Sequence, residues 1–373
     1  MKQITAILFF LSLSVISIAQ TRLQTAIEAL VSYEPMKYGS LSICVLDVET
    51  GQVIAQHNPN MSLVPASTMK AVTTATALGV LGHSYTYKTK LEYDGKIKDG
   101  LLDGNIYIKG SGDPTLGSDQ LDGVPSLEEV MVQMVGSIQK KGIKKINGYV
   151  IGDGSIWGTA MPAANWQWND IGNYYGVGAG GLNIHENMYY LFLKQKNTLG
   201  STPDVSRIVP KMPSLVIMNE IKSDKRGTGD NAYIFGAPYS MTRVLRGTIP
   251  VGNKEFRIKG AMPDPAQYTA YRLTEQLENN SISTKKIAKN IFEYRREGKD
   301  RYTARQTLMT LTSPPLSKIV QRTNEKSVNL YAEALLKTMS KVKKSVGTTD
   351  KGVEVVKEFW EERGMDMKGF FME

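Results

Sequence analysis

Val64-Pro65-Ala66-Ser67-Thr68-Met69-Lys70 is the stretch on which the reading of this chain turns. Pro65 suits the start of a helix, and the apolar spacing after it continues to Leu81, which places Ser67 in the first helical turn. Helical residues three apart share a face, so the Ser67 hydroxyl and the Lys70 amine come within hydrogen-bond reach. A serine hydroxyl is a weak nucleophile until a base takes its proton. Lysine acts as that base only when burial or a neighbouring cation lowers its pKa. The unpaired N–H groups of a first turn, that of Ser67 among them, can hold a developing oxyanion. Taken alone, S-x-x-K is a weak signal, since an ordinary helix start has the same spelling.

Outward from that stretch, Leu41 to Val48 and Gln52 to His57 read as two strands joined by Glu49-Thr50-Gly51, a hairpin immediately before the serine. Residues 21–31 have helical spacing, with Leu23, Ile27, Leu30 and Val31 on one face. From about Lys88 to Gly260 the chain is rich in glycine and in short strand patterns, at Leu101 to Lys109, Gly148 to Ile151, Leu191 to Leu193, Leu215 to Ile217 and Ala232 to Phe235. Helical patterns return at Thr269 to Glu278, Pro315 to Thr323, Leu330 to Met339 and Gly352 to Arg363. The simplest architecture is one discontinuous domain, residues 20–90 plus 262–373, interrupted by mainly β material over residues 91–261. In the second helical part Ser327-Val328-Asn329 precedes a helix. Ser327 and Asn329 are two apart and need a loop to face one cleft, where the hydroxyl can relay a proton and the amide can bind a substrate carbonyl.

The chain begins Met1-Lys2-Gln3 and continues with an apolar run from Ile4 to Ile18, closing on Ser17-Ile18-Ala19. This matches a secretory signal over residues 1–19, and the run is short of the ~20 apolar residues that span a bilayer. The expected location is therefore the periplasm or cell envelope. The formal charge of +9 is carried partly by clusters at Lys140-Lys141-Lys144-Lys145, Lys285-Lys286-Lys289 and Lys337-Lys341-Lys343-Lys344. They read as solvated helix faces, compatible with peripheral association with membrane or cell wall, and none is interleaved with aromatics as nucleic-acid binding requires. The single cysteine, Cys44, excludes an internal disulfide and reads as strand packing. His57, His83 and His185 are scattered without an H-E-x-x-H spacing, so no metal is expected. Gly176-Val177-Gly178-Ala179-Gly180-Gly181 contains G-x-G-x-x-G but no evident βαβ unit, so it reads as a flexible turn and no nucleotide cofactor is expected.

The two motifs, with Gly112-Asp113-Pro114-Thr115-Leu116, Trp166-Gln167-Trp168-Asn169-Asp170, Gly229-Asp230-Asn231-Ala232-Tyr233 and Asn324-Glu325-Lys326-Ser327-Val328-Asn329-Leu330-Tyr331-Ala332-Glu333, resemble the low-molecular-mass class C penicillin-binding proteins of penicillin-binding-protein-4 type. The resemblance runs almost the length of the chain. It implies an α+β fold (an α/β sandwich), a β-lactamase/transpeptidase-like domain with inserted, mainly β domains. It also implies a serine-type D-Ala-D-Ala carboxypeptidase/endopeptidase acting on peptidoglycan stem peptides and inhibited by β-lactams. On that resemblance Ser67 is the nucleophile, Lys70 the proton acceptor, Ser327 the relay to the leaving amine and Asn329 a substrate ligand. Asp170 is the candidate for reading the stem peptide's diamino acid, with a turn or cap role as the competing reading.

The resemblance also implies a Lys/His-Thr-Gly strand after the second motif, and none follows Ser327 in these 373 residues. Arg226-Gly227-Thr228-Gly229 precedes Ser327 and is read as a lookalike. The sequence therefore reads as C-terminally truncated. The expectation is that the longer product is the enzyme and that this chain alone is acylated slowly or not at all. The alternatives are a non-catalytic peptidoglycan-binding scaffold and a serine β-lactamase. The second would need a water-activating base, and Glu333 in the following helix reads instead as packing or salt-bridging.

Overall fold

The structure is a computed structural model that describes residues 22–298 and 303–372. The signal expected over residues 1–19 lies outside them. The chain divides into two compact units, Met1–Ala66 and Ser67–Glu373.

In the first unit, helix α1 covers residues 22–31 and buries Ile27. The hairpin pairs Ile43–Leu46 with Val53–His57 in antiparallel register, Ile43 opposite His57 and Val45 opposite Ala55. Its turn closes on Asp47, whose Oδ1 accepts the N–H of Glu49 and Thr50 at 3.1 and 2.7 Å. Gly51 takes the left-handed conformation that such turns reserve for glycine. Cys44 is in this hairpin but exposed, not packed. Strand side chains alternate between faces, and Cys44 shares the outward face with Leu46 while Ile43 and Val45 are more covered.

The second unit carries α2 (Met69–Leu81), α3 (Leu127–Lys140), α4 (Trp168–Ile171), α5 (Pro265–Asn279), α6 (Ile291–Arg296), α7 (Leu316–Lys326), α8 (Asn329–Lys344) and α9 (Thr349–Glu361). Helix α3 lies in the block that the sequence pattern reads as mainly β. It forms because Ser126 and Glu129 make a reciprocal capping box and because Leu127, Val130, Met131, Met134, Val135 and Ile138 bury one face. Helix α5 starts at an Asp264 cap followed by Pro265.

A five-stranded sheet runs, in spatial order, Lys289–Asn290, Val150–Asp153, Ile106–Lys109, Lys88–Tyr93 and Gln306–Thr312. Its last strand pairs antiparallel with Lys88–Tyr93, so residues on both sides of the middle block share one sheet. A second, smaller sheet joins Ser283–Thr284, Lys145–Ile146, Leu101–Asp103 and Lys96–Lys98. Met188–Lys194 is central in a three-stranded sheet between Asp204–Val209 and Glu255–Ala261. Val216–Asn219, Lys222–Asp224 and Asn231–Phe235 all pair with Thr242–Pro250.

Two main cores result. The larger gathers the strands with α3 and α5, through Leu91, Ile108, Met131, Met134, Leu191, Leu273 and others. The other is helical: Ala77 of α2, Leu316 and Ile319 of α7, Leu330, Tyr331, Leu335 and Met339 of α8, and Val355 and Val356 of α9, closed by Trp157, Val177 and Ala179. In that core α2 and α9 approach closely, because Gly79 presents no side chain where a Cβ would stand 2.4 Å from the Phe359 ring.

Candidate active site

Ser67 lies in a single 3-10 turn, Ala66–Thr68, that runs directly into α2. This refines the expectation of one continuous helix from Pro65. Lys70, one turn on, places Nζ 3.1 Å from Ser67 Oγ. The amine is half-buried, and that burial lowers its pKa from the usual lysine value while the nearby Glu333 carboxylate works in the opposite direction. Burial in turn raises the pKa of Glu333, against Lys337, the Thr349 hydroxyl at 3.0 Å and Lys70.

Helix α7 ends at Ser327, which adopts a left-handed conformation (φ 56°), and α8 begins two residues later at Asn329. This is the break that lets residues two apart address one cleft. The Asn329 side chain donates to the Tyr175 carbonyl at 2.7 Å, which fixes its amide plane. Helices α2 and α7 are tied by Thr74 and Asn324, whose side chains meet at 3.1 Å. Trp360 of α9 donates to Thr76 of α2 at 3.0 Å. The serine and the second motif are thus presented by helices cross-linked through part-buried polar side chains.

Ser67, Ser327 and Asn329 line one cavity of about 450 Å³, together with Gln120, Tyr174, Tyr175, Glu186, Met188, Lys259, Arg322 and Lys326. Lys70 is outside that lining and meets it through the Ser67 hydroxyl. Asp170 is in α4, outside that lining, and acts on it through its charge: burial and then the Asp170 charge push the pKa of the Tyr175 hydroxyl up to about 12. The Arg226-Gly227-Thr228-Gly229 string forms an exposed turn ahead of the Asn231–Phe235 strand.

The profile of the D-Ala-D-Ala carboxypeptidase 3 (S13) family matches residues 23–373. The chain belongs to this S13 family. It is 24% identical over 303 residues to the D-alanyl-D-alanine carboxypeptidase DacB of Haemophilus influenzae, covering 79% of this chain and 57% of that protein. It is 23% identical to the D-alanyl-D-alanine carboxypeptidase of Actinomadura sp., covering 94% of this chain and 63% of the relative. The S13 chain therefore spans about three-fifths of the length of these relatives. Its fold matches the crystal structure of penicillin-binding protein 4 from Haemophilus influenzae with a TM-score of 0.72 at 22% identity, over 88% of this chain and 68% of the other. That protein has also been solved with a β-lactam bound, and this second structure matches at a TM-score of 0.64, 20% identity, over 88% of this chain and 67% of the other. The expected fold class, mixed α and β with a transpeptidase-like architecture, is the one found.

Two parts of the candidate site differ from the sequence expectation. The stretch from Gly176 to Gly181 is not a flexible turn but buried wall: Val177 and Ala179 are core residues, and a Cβ on Gly178 would meet the Met161-Pro162 peptide at 2.1 Å. Lys337, grouped with the solvated lysines, is 2% exposed. Its Nζ donates to the carbonyls of Ala160, Met161 and Ala179 at 2.7, 2.8 and 2.9 Å, which pins that wall to α8. Glu186 belongs to none of the sequence motifs. It sits in a run of three left-handed residues, His185 to Asn187, and its Oε1 accepts the Ser118 and Tyr331 hydroxyls, both at 2.7 Å. The only trace of it in sequence is the small-residue and Asn-rich run around it, which tolerates that backbone.

Proposed function

We propose that this chain carries the acylation site of a serine-type D-Ala-D-Ala carboxypeptidase/endopeptidase that acts on peptidoglycan stem peptides and is blocked by β-lactams. The observation that carries the reading is the 3.1 Å approach of Lys70 Nζ to Ser67 Oγ, with Ser67 opening on a cavity also lined by Ser327 and Asn329. Family membership supports the same reaction class.

In the proposed cycle Lys70, in its neutral form, takes the hydroxyl proton as Ser67 Oγ bonds to the carbonyl carbon of the penultimate D-alanine. The oxyanion meets the Ser67 N–H at the start of the helix, where backbone donors are unpaired. Collapse breaks the C–N bond, and the proton passes through Ser327 to the departing amine of the last D-alanine. Asn329 holds a substrate carbonyl with its amide. Water then attacks the ester and gives a proton to Lys70, which passes it to Ser67 Oγ as the ester C–O bond breaks, restoring the hydroxyl and the neutral amine. A β-lactam enters the same first step by ring opening. Asp170 is proposed to contribute to recognition of the diamino acid through Tyr175.

Export to the periplasm or cell envelope belongs to the same proposal, and among the described residues no helix is long and apolar enough to cross a membrane. So does a discontinuous penicillin-binding domain around the helical core. The packing of α2 with α7, α8 and α9 supports it. The pairing of Gln306–Thr312 with Lys88–Tyr93 favours placing the return to that domain near residue 313. The test is a β-lactam reaction followed by intact-mass and peptide mapping: one adduct, on Ser67, supports the reading, and an adduct that persists in Ser67→Ala refutes it.

A further inference from the structure

We propose that a second cavity, walled by the 113–117 loop, the segment leading into α3 and the start of α7, is a ligand site that takes an ammonium or guanidinium group carried on an apolar body, with Asp113 as its counter-ion. This cavity shares no lining residue with the one that holds Ser67.

Its volume is about 310 Å³, a size suited to a small molecule or a single long side chain. Leu116, Val130, Leu311 and Pro314 give it apolar walls, and its charged residues are Asp113 and Asp122. No lysine, arginine or histidine lines it, in a chain whose formal charge is +9. The cavity thus inverts the sign of the protein around it, and its chemistry selects a cation.

Asp113 is 5% exposed, although it lines the cavity. Its Oδ1 accepts the N–H and the hydroxyl of Thr115 at 2.8 and 2.7 Å. That turn accounts for one oxygen only. Oδ2 has no hydrogen-bond partner among the described residues and is not one of the sealed polar atoms of the interior. Among those residues Asp113 also makes no ion pair. Burial raises its pKa to about 6, even though both bonds from Thr115 pull it down. A carboxylate held in the interior without a counter-charge is costly, and an ammonium or guanidinium supplies both the charge and the missing donor. Asp122, exposed in the loop before α3, adds a second negative charge to the same lining. The apolar walls then cover the body that carries the cation.

Three probes test the site: phenethylammonium, phenethyl alcohol, which keeps the ring without the charge, and the N-acetyl methylamide of lysine, which offers the ammonium on a peptide. Each is titrated calorimetrically into the whole chain at a pH well above the Asp113 value and at low salt. At least one amine is expected to bind roughly tenfold tighter than the alcohol, in line with a charge-assisted contact. Whichever amine binds more tightly tells a free amine from a basic side chain as the source. Asp113→Asn keeps an oxygen for Thr115 and is expected to remove the preference for the amines. Asp122→Asn, on the exposed loop, reduces the preference about twofold and serves as the check should the buried variant fold poorly. Binding of no probe, an alcohol as tight as both amines, or an undiminished preference in either folded variant overturns the site.

Discussion

Lys70 and Lys337 are both withdrawn from solvent, on α2 and α8, and both feel the same buried carboxylate, Glu333. Their hydrogen bonding separates them. Lys337 spends three donors on three backbone carbonyls and lies 5.7 Å from the Trp157 ring centre. An ammonium has three protons, so this one is fully committed and works as a rivet between α8 and the glycine-rich wall. Lys70 meets a single hydroxyl, that of Ser67. The fully buried lysine whose donors are all used is structural, and the half-buried one with a donor on Ser67 is the one proposed to react.

The contrast breaks first at the chemistry. Ser67→Ala and Lys70→Met are each expected to lower the rate of β-lactam acylation by about a thousandfold or more while far-ultraviolet circular dichroism is unchanged. Time-resolved labelling with a fluorescent penicillin measures it, and a Lys70→Met chain that labels at the parental rate ends the proposed role of Lys70.

Stability should show the opposite ranking. Lys337→Met strips a charged donor from three buried carbonyls and is expected to cost about 2 to 4 kcal/mol, while Lys70→Met costs under about 1. Urea midpoints give both numbers, and equal losses would erase the distinction between the two lysines.

The pH dependences sharpen it further. Burial brings Lys337 down to about 8 in the folded chain, below its unfolded value, so above pH 8 the unfolded state holds more protons. Stability from this residue therefore rises as pH goes from about 8 into the ordinary lysine range, and Lys337→Met should lack that rise. For Lys70 the readout is rate: acylation should increase as pH climbs and the amine loses its proton. Glu333→Gln removes the charge that favours the protonated amine, so the rising limb should move to lower pH. A shift to higher pH would contradict the assigned influence of Glu333.

The smallest effect belongs to the tie between helices. Thr74→Val loses the bond to Asn324 and should cost about 1 kcal/mol, with a slower acylation that reflects a looser Ser327 loop.

What could be read from sequence was local. The hairpin turn, the start of α2 and the helices α7 to α9 follow from residue spacing and turn chemistry within short windows, and each is found close to its expected bounds. Helix α3 is also written locally, in Ser126-Leu127-Glu128-Glu129, although its surroundings read as strands. Other features depend on distant partners. Nothing in the spacing of Lys337 separates it from Lys341 or Lys344; only the arrival of the 160–179 backbone buries it. The glycines from 176 to 181 looked like a loop because close packing and flexibility use the same residue. Arg322 and Lys259 also line one cavity only because distant segments fold together, and a shared cavity lies outside any sequence window.

The central claim is that Ser67, paired with Lys70, is the nucleophile. Prolonged incubation of the chain with a β-lactam, followed by peptide mass spectrometry, tests it most directly. A single adduct on the Ser67 peptide, absent from Ser67→Ala and strongly slowed in Lys70→Met, is the predicted result. An adduct carried by another residue, or one that persists in Ser67→Ala, would contradict it.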